Sequence, residues 1–274
     1  MPSTRKWIYQ FSEGSAKMRD LLGGKGAGAA EMTKAGMPVP PGFTITTEAC
    51  RAYYSSGGKF PKGLWEQVLP NLKVLERKAK KKFGDPKDPL LVSVRSGAKF
   101  SMPGMMDTVL NLGLNEETTQ GLARLTSDER FALDARRRFV QMFGKTVMGI
   151  DGEKFEHALT EAKKRAGVKT DPELKPAQLR PLVKRFLDIY KEETGHEFPS
   201  DPIVQLRAAI FGATRDEDER RTCHYAGSFC FLATIQRGLG LSEPSRSKLR
   251  ELLVPVDTSI PSNTLRLGEQ RVRP

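Results

Sequence analysis

The chain has 274 residues, of which 38% are hydrophobic, so it is long enough to bury one sizeable core or two small ones, and a largely disordered protein is excluded. A formal net charge of +12 favours binding of a polyanion but does not choose among nucleotide, nucleic acid and anionic membrane. Its apolar runs fall short of the roughly 20 residues that cross a bilayer, and three cysteines without an apolar leader predict a soluble protein of the reducing cytoplasm.

The first motif, Leu21–Gly26, reads Leu-Leu-Gly-Gly-Lys-Gly. A strand is predicted before it, from Trp7 to Phe11, and a helix from Gly24 to Lys34. Lys25 therefore lies at a helix N-terminus, where exposed amides and the helix dipole favour an anion. Since Gly26 stands where a Walker motif has Ser or Thr, this is not an ordinary P-loop. The candidate phosphate contacts are Gly23, Gly24, Lys25 and Gly26.

Two further segments are predicted to be regular before the next motif. Phe43–Thr46 is predicted to be a strand, followed by a short helix that Thr47 caps. Six Lys and Arg residues then lie between Lys73 and Lys82 with Glu76 as the only acidic residue among them. A nucleic-acid patch is one interpretation, but a solvated helical face is favoured because no aromatic residues are interleaved.

The second motif, Val94–Ala98, follows a strand predicted over Leu90–Val94 and reads Val-Arg-Ser-Gly-Ala. Arg95 emerges at the strand end, where the fold can direct it at a ligand; an ordinary surface ion pair is the alternative. Ser96 and Gly97 are candidate contacts beside it.

A methionine-rich loop, Ser101–Thr108, comes next. Such a loop can close over a bound base or phosphate, with Gly104 allowing close backbone approach, or it can be tucked into the core. Composition does not separate the two. The candidate contacts are Ser101, Met102, Gly104, Met105, Asp107 and Thr108.

Helices dominate from residue 115 onward. Asn115 is predicted to cap one helix and either Ser127 or Asp128 to begin a longer one. Two more are predicted over Glu153–Arg165 and Pro176–Glu193, the second ended by Gly195. Three consecutive arginines point in different directions on a helix, so they are expected on the surface; they are Arg136, Arg137 and Arg138.

The end of the chain differs in composition. Residues from Glu243 to Pro274 are rich in proline, serine and arginine, and poor order is expected there. Ser228–Ile235 is apolar enough for a strand or a short buried helix, and both remain open. The predicted division is an α/β nucleotide-binding subdomain over 1–114, a helical subdomain over 115–200, a helix returning to the first subdomain over 201–214 and a divergent tail over 215–274.

No metal site is predicted from the residue types. Cys223, His224 and Cys230 lack CxxC spacing and a fourth ligand. The three histidines have no identifiable catalytic partner and are expected to be structural or exposed; they are His157, His196 and His224.

The segment from Trp7 to about Ile150 resembles the start of pyruvate, phosphate dikinases in the order of its motifs. The shared motifs are Gly-Gly-Lys-Gly, Pro-Pro-Gly-Phe-Thr, Ser-Val-Arg-Ser-Gly-Ala, Ser-Met-Pro-Gly-Met-Met-Asp-Thr and Asn-Leu-Gly-Leu. A weaker resemblance reaches about Phe211. The family resemblance as a whole implies an α+β fold: a partial ATP-grasp-like nucleotide-binding domain with an inserted helical subdomain. Phosphoenolpyruvate synthases continue with a different, acidic segment after the Arg-Ser motif, so Ser101–Thr108 favours the dikinase branch.

The resemblance also implies roles for single residues. In that family the lysine and arginine of these motifs contact nucleotide phosphates, which implies catalytic roles for Lys25 and Arg95, and the methionine-rich loop lies over the site. The implied cofactors are ATP and Mg²⁺. The whole enzymes interconvert ATP, phosphate and pyruvate with AMP, pyrophosphate and phosphoenolpyruvate through a histidine on a swivelling domain.

Counterparts of the family's acidic lobe, carrier histidine and pyruvate-binding barrel are not recognised here, and Asp107 is the one carboxylate proposed for Mg²⁺.

Three hypotheses about the function follow. The first is the ATP-binding part of a dikinase, completed by a complementary chain or cut short by a frameshift. The second is a nucleotide- or partner-binding module without turnover. The third is a basic nucleic-acid-binding protein, which the solvated helical face argues against.

Overall fold

The computed structural model describes residues 5–98, 108–212 and 227–234. The strands are β1 (Ile8–Gln10), β2 (Gly42–Ile45), β3 (Lys82–Phe83), β4 (Pro89–Ala98), β5 (Thr108–Leu112) and β6 (Gly227–Thr234). The helices are α1 (Arg19–Lys34), α2 (Thr47–Ser55), α3 (Leu64–Ala79), α4 (Glu116–Thr126), α5 (Glu129–Met148), α6 (Gly152–Ala166), α7 (Pro176–Thr194) and α8 (Pro202–Gly212). The predicted α+β class is confirmed. In this part of the chain, no helix is both long and apolar enough to cross a membrane.

The strands form one sheet in the order β1-β2-β6-β4-β3, and β5 also pairs with β4. Pairing is antiparallel except between β3 and β4, which run parallel. One face is apolar and deeply buried: its side chains Ile8, Phe43, Ile45, Val92 and Val94 are all at most 2% exposed. Since strand residues alternate between faces, the intervening positions form a second face, on which the polar residues Thr44, Ser93 and Arg95 lie.

The strand β6 comes from the part of the sequence beyond the recognised motifs. It pairs with β2 over Gly42–Ile45 and with β4 over Leu91–Ala98, and so lies between them. Of the two alternatives left open for Ser228–Ile235, the structure shows the strand. The other residues of the predicted tail over 215–274 lie outside the described residues.

Local capping explains where the helices begin and end. Asn115 caps α4 by accepting a hydrogen bond from the Thr118 N–H at 2.9 Å, as predicted. Asp128, rather than Ser127, caps α5, with its carboxylate 2.8 Å from the Phe131 N–H. Ser127 instead ends α4 with a left-handed φ of 52°. Gly195 ends α7 at φ 73°, also as predicted.

Aromatic contacts hold the helical part together. The ring of Phe198 lies 5.5, 5.1 and 5.0 Å from the rings of Phe139, Phe143 and Tyr190. Such edge-on pairs add to the free energy gained from apolar burial. Phe139, Phe143 and Tyr190 are buried in the same apolar core as the sheet, and the partly buried Phe198 packs against it, so the helical part is continuous with the sheet.

The last described helix, α8, packs on β4, β5 and α5. Its residue Gln205 is fully buried, and its side-chain Nε2 donates to the backbone oxygens of Leu114 and Pro199 at 3.0 and 2.8 Å. At Gly84, a Cβ would lie 2.9 Å from Pro202, so the chain before β4 also approaches α8 closely. These contacts bring the chain back from the helices to the sheet.

Candidate functional site

A break in α1 creates a new helix start at the glycine motif. Gly23 has φ 68° and ψ 171°, which interrupts the helix, so Gly24 to Gly26 form the first turn of its second segment. First-turn N–H groups have no acceptor within their own helix and are available to an anion. Lys25 is exposed in this turn, whereas Gly23 is buried. The predicted start of the helix at Gly24 agrees with this break.

Gly26 has a packing reason to be glycine. A Cβ at this position would lie 2.8 Å from both Oγ1 and Cγ2 of Thr44, and 3.3 Å from Cβ of Leu22. Both distances to Thr44 are shorter than real Cβ contacts. Gly28, two residues later, has no such neighbour within 4 Å. The second segment of α1 therefore rests on β2 through Gly26, while the predicted phosphate contact of Gly26 stays a prediction.

The sheet register brings Arg95 to the same face as Thr44. Thr44 pairs with Cys230, Cys230 with Arg95, and Arg95 with Thr108. Residues directly opposite one another on neighbouring strands point to the same face. Because strands are about 4.8 Å apart, the Cα atoms of Thr44 and Arg95 are separated by about 10 Å. The face against which Gly26 packs is therefore the face that carries Arg95 and Thr108.

Two buried polar atoms on this face lack a partner among the described residues. They are Oγ1 of Thr44, whose residue is 1% exposed, and Nε of Arg95, whose residue is half-buried. An unpaired buried donor or acceptor costs about 1–3 kcal/mol, and such atoms in folded proteins are normally satisfied by protein, water or ligand. The third atom of this kind in the described chain is Oε1 of Gln10, which lies on the opposite face. The polar face thus has unused hydrogen-bonding capacity at both ends of the Thr44–Arg95 row.

Of the remaining predicted ligand contacts, the structure describes Ser96, Gly97 and Thr108. Ser96 and Gly97 lie on β4, where their backbones pair with Phe229 and Ser228 of β6. Thr108 begins β5 directly opposite Arg95. The loop contacts predicted between these strands lie outside the described residues; they are Ser101, Met102, Gly104, Met105 and Asp107. The described backbone on both sides of this loop, Ala98 and Thr108, belongs to the sheet beside Arg95.

Thr44 was not assigned to the site by the sequence, although it lies in the Pro-Pro-Gly-Phe-Thr motif. The available signal was alternation: Phe43 and Ile45 are apolar and face the core, so the polar residue between them belongs to the other face. The residues around Thr44 do not indicate which helix packs on that face, because α1 is a separate segment of the chain.

The surface position expected for the three arginines is wrong for Arg137. Its side chain is 2% exposed and lies 2.7 Å from Asp134 Oδ1 and 3.3 Å from Asp171 Oδ2. Asp171 follows α6 in the chain and lies 34 residues from Arg137. Arg138 is half-buried and binds Asp134 as well, at 3.1 Å. Burial lowers the pKa of Arg136, and the nearby Glu116 partly opposes this shift. Arg137 and Arg138 therefore form ion pairs within the helical part of the protein.

The family resemblance implies Mg²⁺, but the described residues do not form a set of metal ligands. Among the residues that the structure describes, no three His, Cys, Asp or Glu side chains lie close enough together to hold an ion. Asp107, the proposed carboxylate, lies outside them. His157 is 77% exposed, and His196 is exposed. The described side chains therefore do not fit a resident Mg²⁺ by themselves, and no step below is assigned to it.

Comparisons with known proteins show which proteins this chain is similar to. The family model described as pyruvate phosphate dikinase, AMP/ATP-binding domain, matches residues 19–59, which include the break in α1 and Thr44. Pyruvate, phosphate dikinase 1, chloroplastic, of Arabidopsis thaliana is 53% identical over 225 residues, covering 81% of this chain and 23% of that protein. The pyruvate, phosphate dikinase of Clostridium symbiosum is 48% identical over 221 residues, covering 80% and 25%. That of Giardia intestinalis is 53% identical over 215 residues, covering 76% and 24%.

The coverage of these matches is uneven. The chain spans about a quarter of the length of the curated relatives it matches. A match over 81% of 274 residues also includes residues after Phe211, where the weaker resemblance ends.

Proposed function

We propose that the polar face of the sheet and the restarted helix of α1 bind the phosphates of ATP, because 81% of the chain is similar to a pyruvate, phosphate dikinase. The observation that carries this proposal is the shared face of Thr44 and Arg95. The first places α1 on the sheet through Gly26, and the second has a buried Nε without a partner in the described chain. A triphosphate on this face would contact first-turn N–H groups and a guanidinium together.

In this proposal each residue type has a separate task. The break at Gly23 makes Gly24 to Gly26 a first helical turn, whose backbone N–H groups face an anion, and Lys25 adds a positive charge at the same helix start. Arg95 presents a planar donor that matches two phosphate oxygens. Phosphoryl transfer depends mainly on positioning and charge neutralisation, so these groups are the ones we expect to matter for transfer. The loop contacts predicted between Ser101 and Thr108 would cover the bound nucleotide.

The proposal extends to the reaction of the full-length relatives. Relatives about four times longer carry further domains, so we propose that this chain supplies the ATP-binding part of the dikinase reaction. A complementary chain would then carry the phosphohistidine and the pyruvate site. We place the protein in the cytoplasm on its cysteine content, although the name of the Arabidopsis relative includes the word chloroplastic.

Calorimetric titration of the full chain tests the proposal directly. ATP with Mg²⁺ is expected to bind, and Arg95→Ala is expected to weaken binding by about tenfold or more, since a charge-assisted contact is lost. Arg165→Ala is the matched control, because Arg165 is 79% exposed and bonds Glu161 one turn away on α6. Its binding should equal that of the unsubstituted chain.

Two results would contradict the proposal. One is equal ATP affinity with and without the Arg95 guanidinium. The other is preference for single-stranded DNA over ATP with a steep loss of affinity in salt, which is the behaviour of a nucleic-acid-binding protein.

A further inference from the structure

A β-bulge interrupts the pairing of β4 with β5 close to Arg95. Val94 pairs with Val109, but Val92 pairs with Leu112, so two residues of β5, Leu110 and Asn111, stand opposite one residue of β4. A bulge of this kind adds one residue to one strand and changes which face the following side chains occupy.

The extra residue decides the face of Thr108. Leu112 and Val109 are 0% and 1% exposed, and both lie on the apolar face although they are three positions apart. In a regular strand, residues three apart point to opposite faces. With the bulge, Val109 joins the core and Thr108 stands beside Arg95 on the polar face. Without it, either Val109 would leave the core or Leu112 would.

The backbone of Asn111 makes the bulge possible. Asn111 is 6% exposed and has φ 60°, one of three non-glycine residues with positive φ in the described chain. The other two, Lys80 and Ser127, lie at exposed helix ends. Asparagine adopts this conformation far more readily than β-branched residues. Its carbonyl then accepts the Leu114 N–H at 3.3 Å, which turns the chain toward α4.

We propose that Asn111 is a positioning residue for the phosphate-binding site, because its left-handed backbone sets the register that places Thr108 opposite Arg95. The inference rests on the proposed function. Asn111 itself need not contact the nucleotide. Its effect reaches the ligand through Thr108, which begins β5 opposite Arg95.

Three substitutions in the full chain separate positioning from simple destabilisation. Asn111→Val disfavours positive φ and should weaken binding of ATP with Mg²⁺ by about tenfold or more, since small misplacements of binding groups are costly. Asn111→Gly keeps positive φ accessible and should stay within about threefold of the unsubstituted chain. Ser127→Val introduces the same backbone conflict at φ 52°, in an exposed turn between α4 and α5, and should leave ATP affinity unchanged.

Binding is measured by calorimetry at a temperature where circular dichroism shows each variant fully folded. If Asn111→Val does not fold, Asn111→Ala, with a smaller conflict at positive φ, takes its place. Weakened binding in the Val or Ala variant, with affinity kept in Asn111→Gly and Ser127→Val, supports the inference. Equal affinity in all variants overturns it and leaves the proposed function standing. Absence of ATP binding by the unsubstituted chain overturns both.

Discussion

The side-chain Oε1 of Gln205 accepts a hydrogen bond of 3.0 Å from the backbone N–H of Gly113, and both residues are buried. Gln205 belongs to α8, whereas Gly113 follows β5 directly, so 92 residues separate them in the chain. The same amide donates to the carbonyl oxygens of Leu114 and Pro199. One side chain therefore joins the end of the hairpin that carries Thr108 to the last described helix.

Replacing Gln205 with leucine should destabilise the protein markedly. The change leaves the Gly113 N–H and the Leu114 carbonyl buried without the Gln205 partner and removes the contact to the part-buried Pro199 carbonyl, which should lower the free energy of unfolding by about 3 kcal/mol. Urea unfolding followed by circular dichroism measures the difference. Gln120→Leu, at an exposed position of α4, is the control and should cost little. If both substitutions changed the free energy of unfolding equally, the hydrogen bonds of the buried Gln205 amide would not contribute to stability.

The contact between Gly26 and Thr44 predicts a rescue experiment. Gly26→Ala places a methyl group 2.8 Å from two Thr44 atoms and should destabilise the protein by about 1–3 kcal/mol. Thr44→Ala removes both atoms, so in the double variant most of that loss should be recovered. Gly28→Ala meets no atom within 4 Å and should stabilise α1 by about 0.5–1 kcal/mol. Thermal unfolding of the four variants checks these signs, and additive losses in the double variant would mean that the two residues do not clash.

The sequence predicted the helices well because their ends are set by local chemistry. Asn115, Asp128 and Gly195 act within one turn of their own position, so residue type and spacing suffice to locate them. The strand before Arg95 was predicted for a similar reason, since Leu90–Val94 is a short run of mostly β-prone residues.

Other features depend on partners far away in the chain. Arg137 is buried because Asp171 reaches it from the turn after α6, which no local pattern shows. The insertion of β6 between β2 and β4, and the bulge at Asn111, are matters of register, which only the assembled sheet decides. The shared face of Thr44 and Arg95 likewise follows from two pairings, each with Cys230 of β6, and could not be inferred from spacing.

The buried position of Arg137 predicts a large cost for its removal. Arg137→Met leaves Asp134 without its shortest ion pair in a nearly buried setting, and the free energy of unfolding should fall by about 3–5 kcal/mol. Arg165→Met removes an exposed i,i+4 pair with Glu161 and should cost about 0.5 kcal/mol. Guanidinium chloride, which also screens surface charges, is less suitable than urea for this comparison. Similar costs for the two arginines would contradict the importance of burial.

The turn that holds Asp171 should respond to acid. The Glu173 carboxylate accepts hydrogen bonds from the backbone N–H groups of Thr170 and Lys169 at 2.8 and 2.9 Å, and these lower its pKa below the ordinary value of 4.5. A lowered folded-state pKa stabilises the protein above the unfolded value, and that stabilisation is lost as pH falls through the folded value.

Glu173→Gln should therefore reduce the dependence of unfolding free energy on pH between about pH 5 and pH 3. Urea unfolding at a series of pH values measures the slope. Glu197→Gln, whose carboxylate bonds the Lys191 side chain at 2.5 Å rather than backbone N–H groups, is the control. An unchanged slope in Glu173→Gln would show that these backbone contacts do not stabilise the folded state.

The central position of β6 predicts that the sheet depends on residues beyond α8. A chain ended after Gly212 lacks β6, so the facing edges of β2 and β4 lose their partner over Gly42–Ile45 and Leu91–Ala98. Unpaired strand edges promote association between molecules, and the cooperative unfolding transition should weaken or disappear. A chain ended after Ile235 keeps all six strands and should unfold as cooperatively as the full chain. Calorimetry with light scattering distinguishes the two, and equal stability of both shortened chains would show that β6 does not complete the sheet.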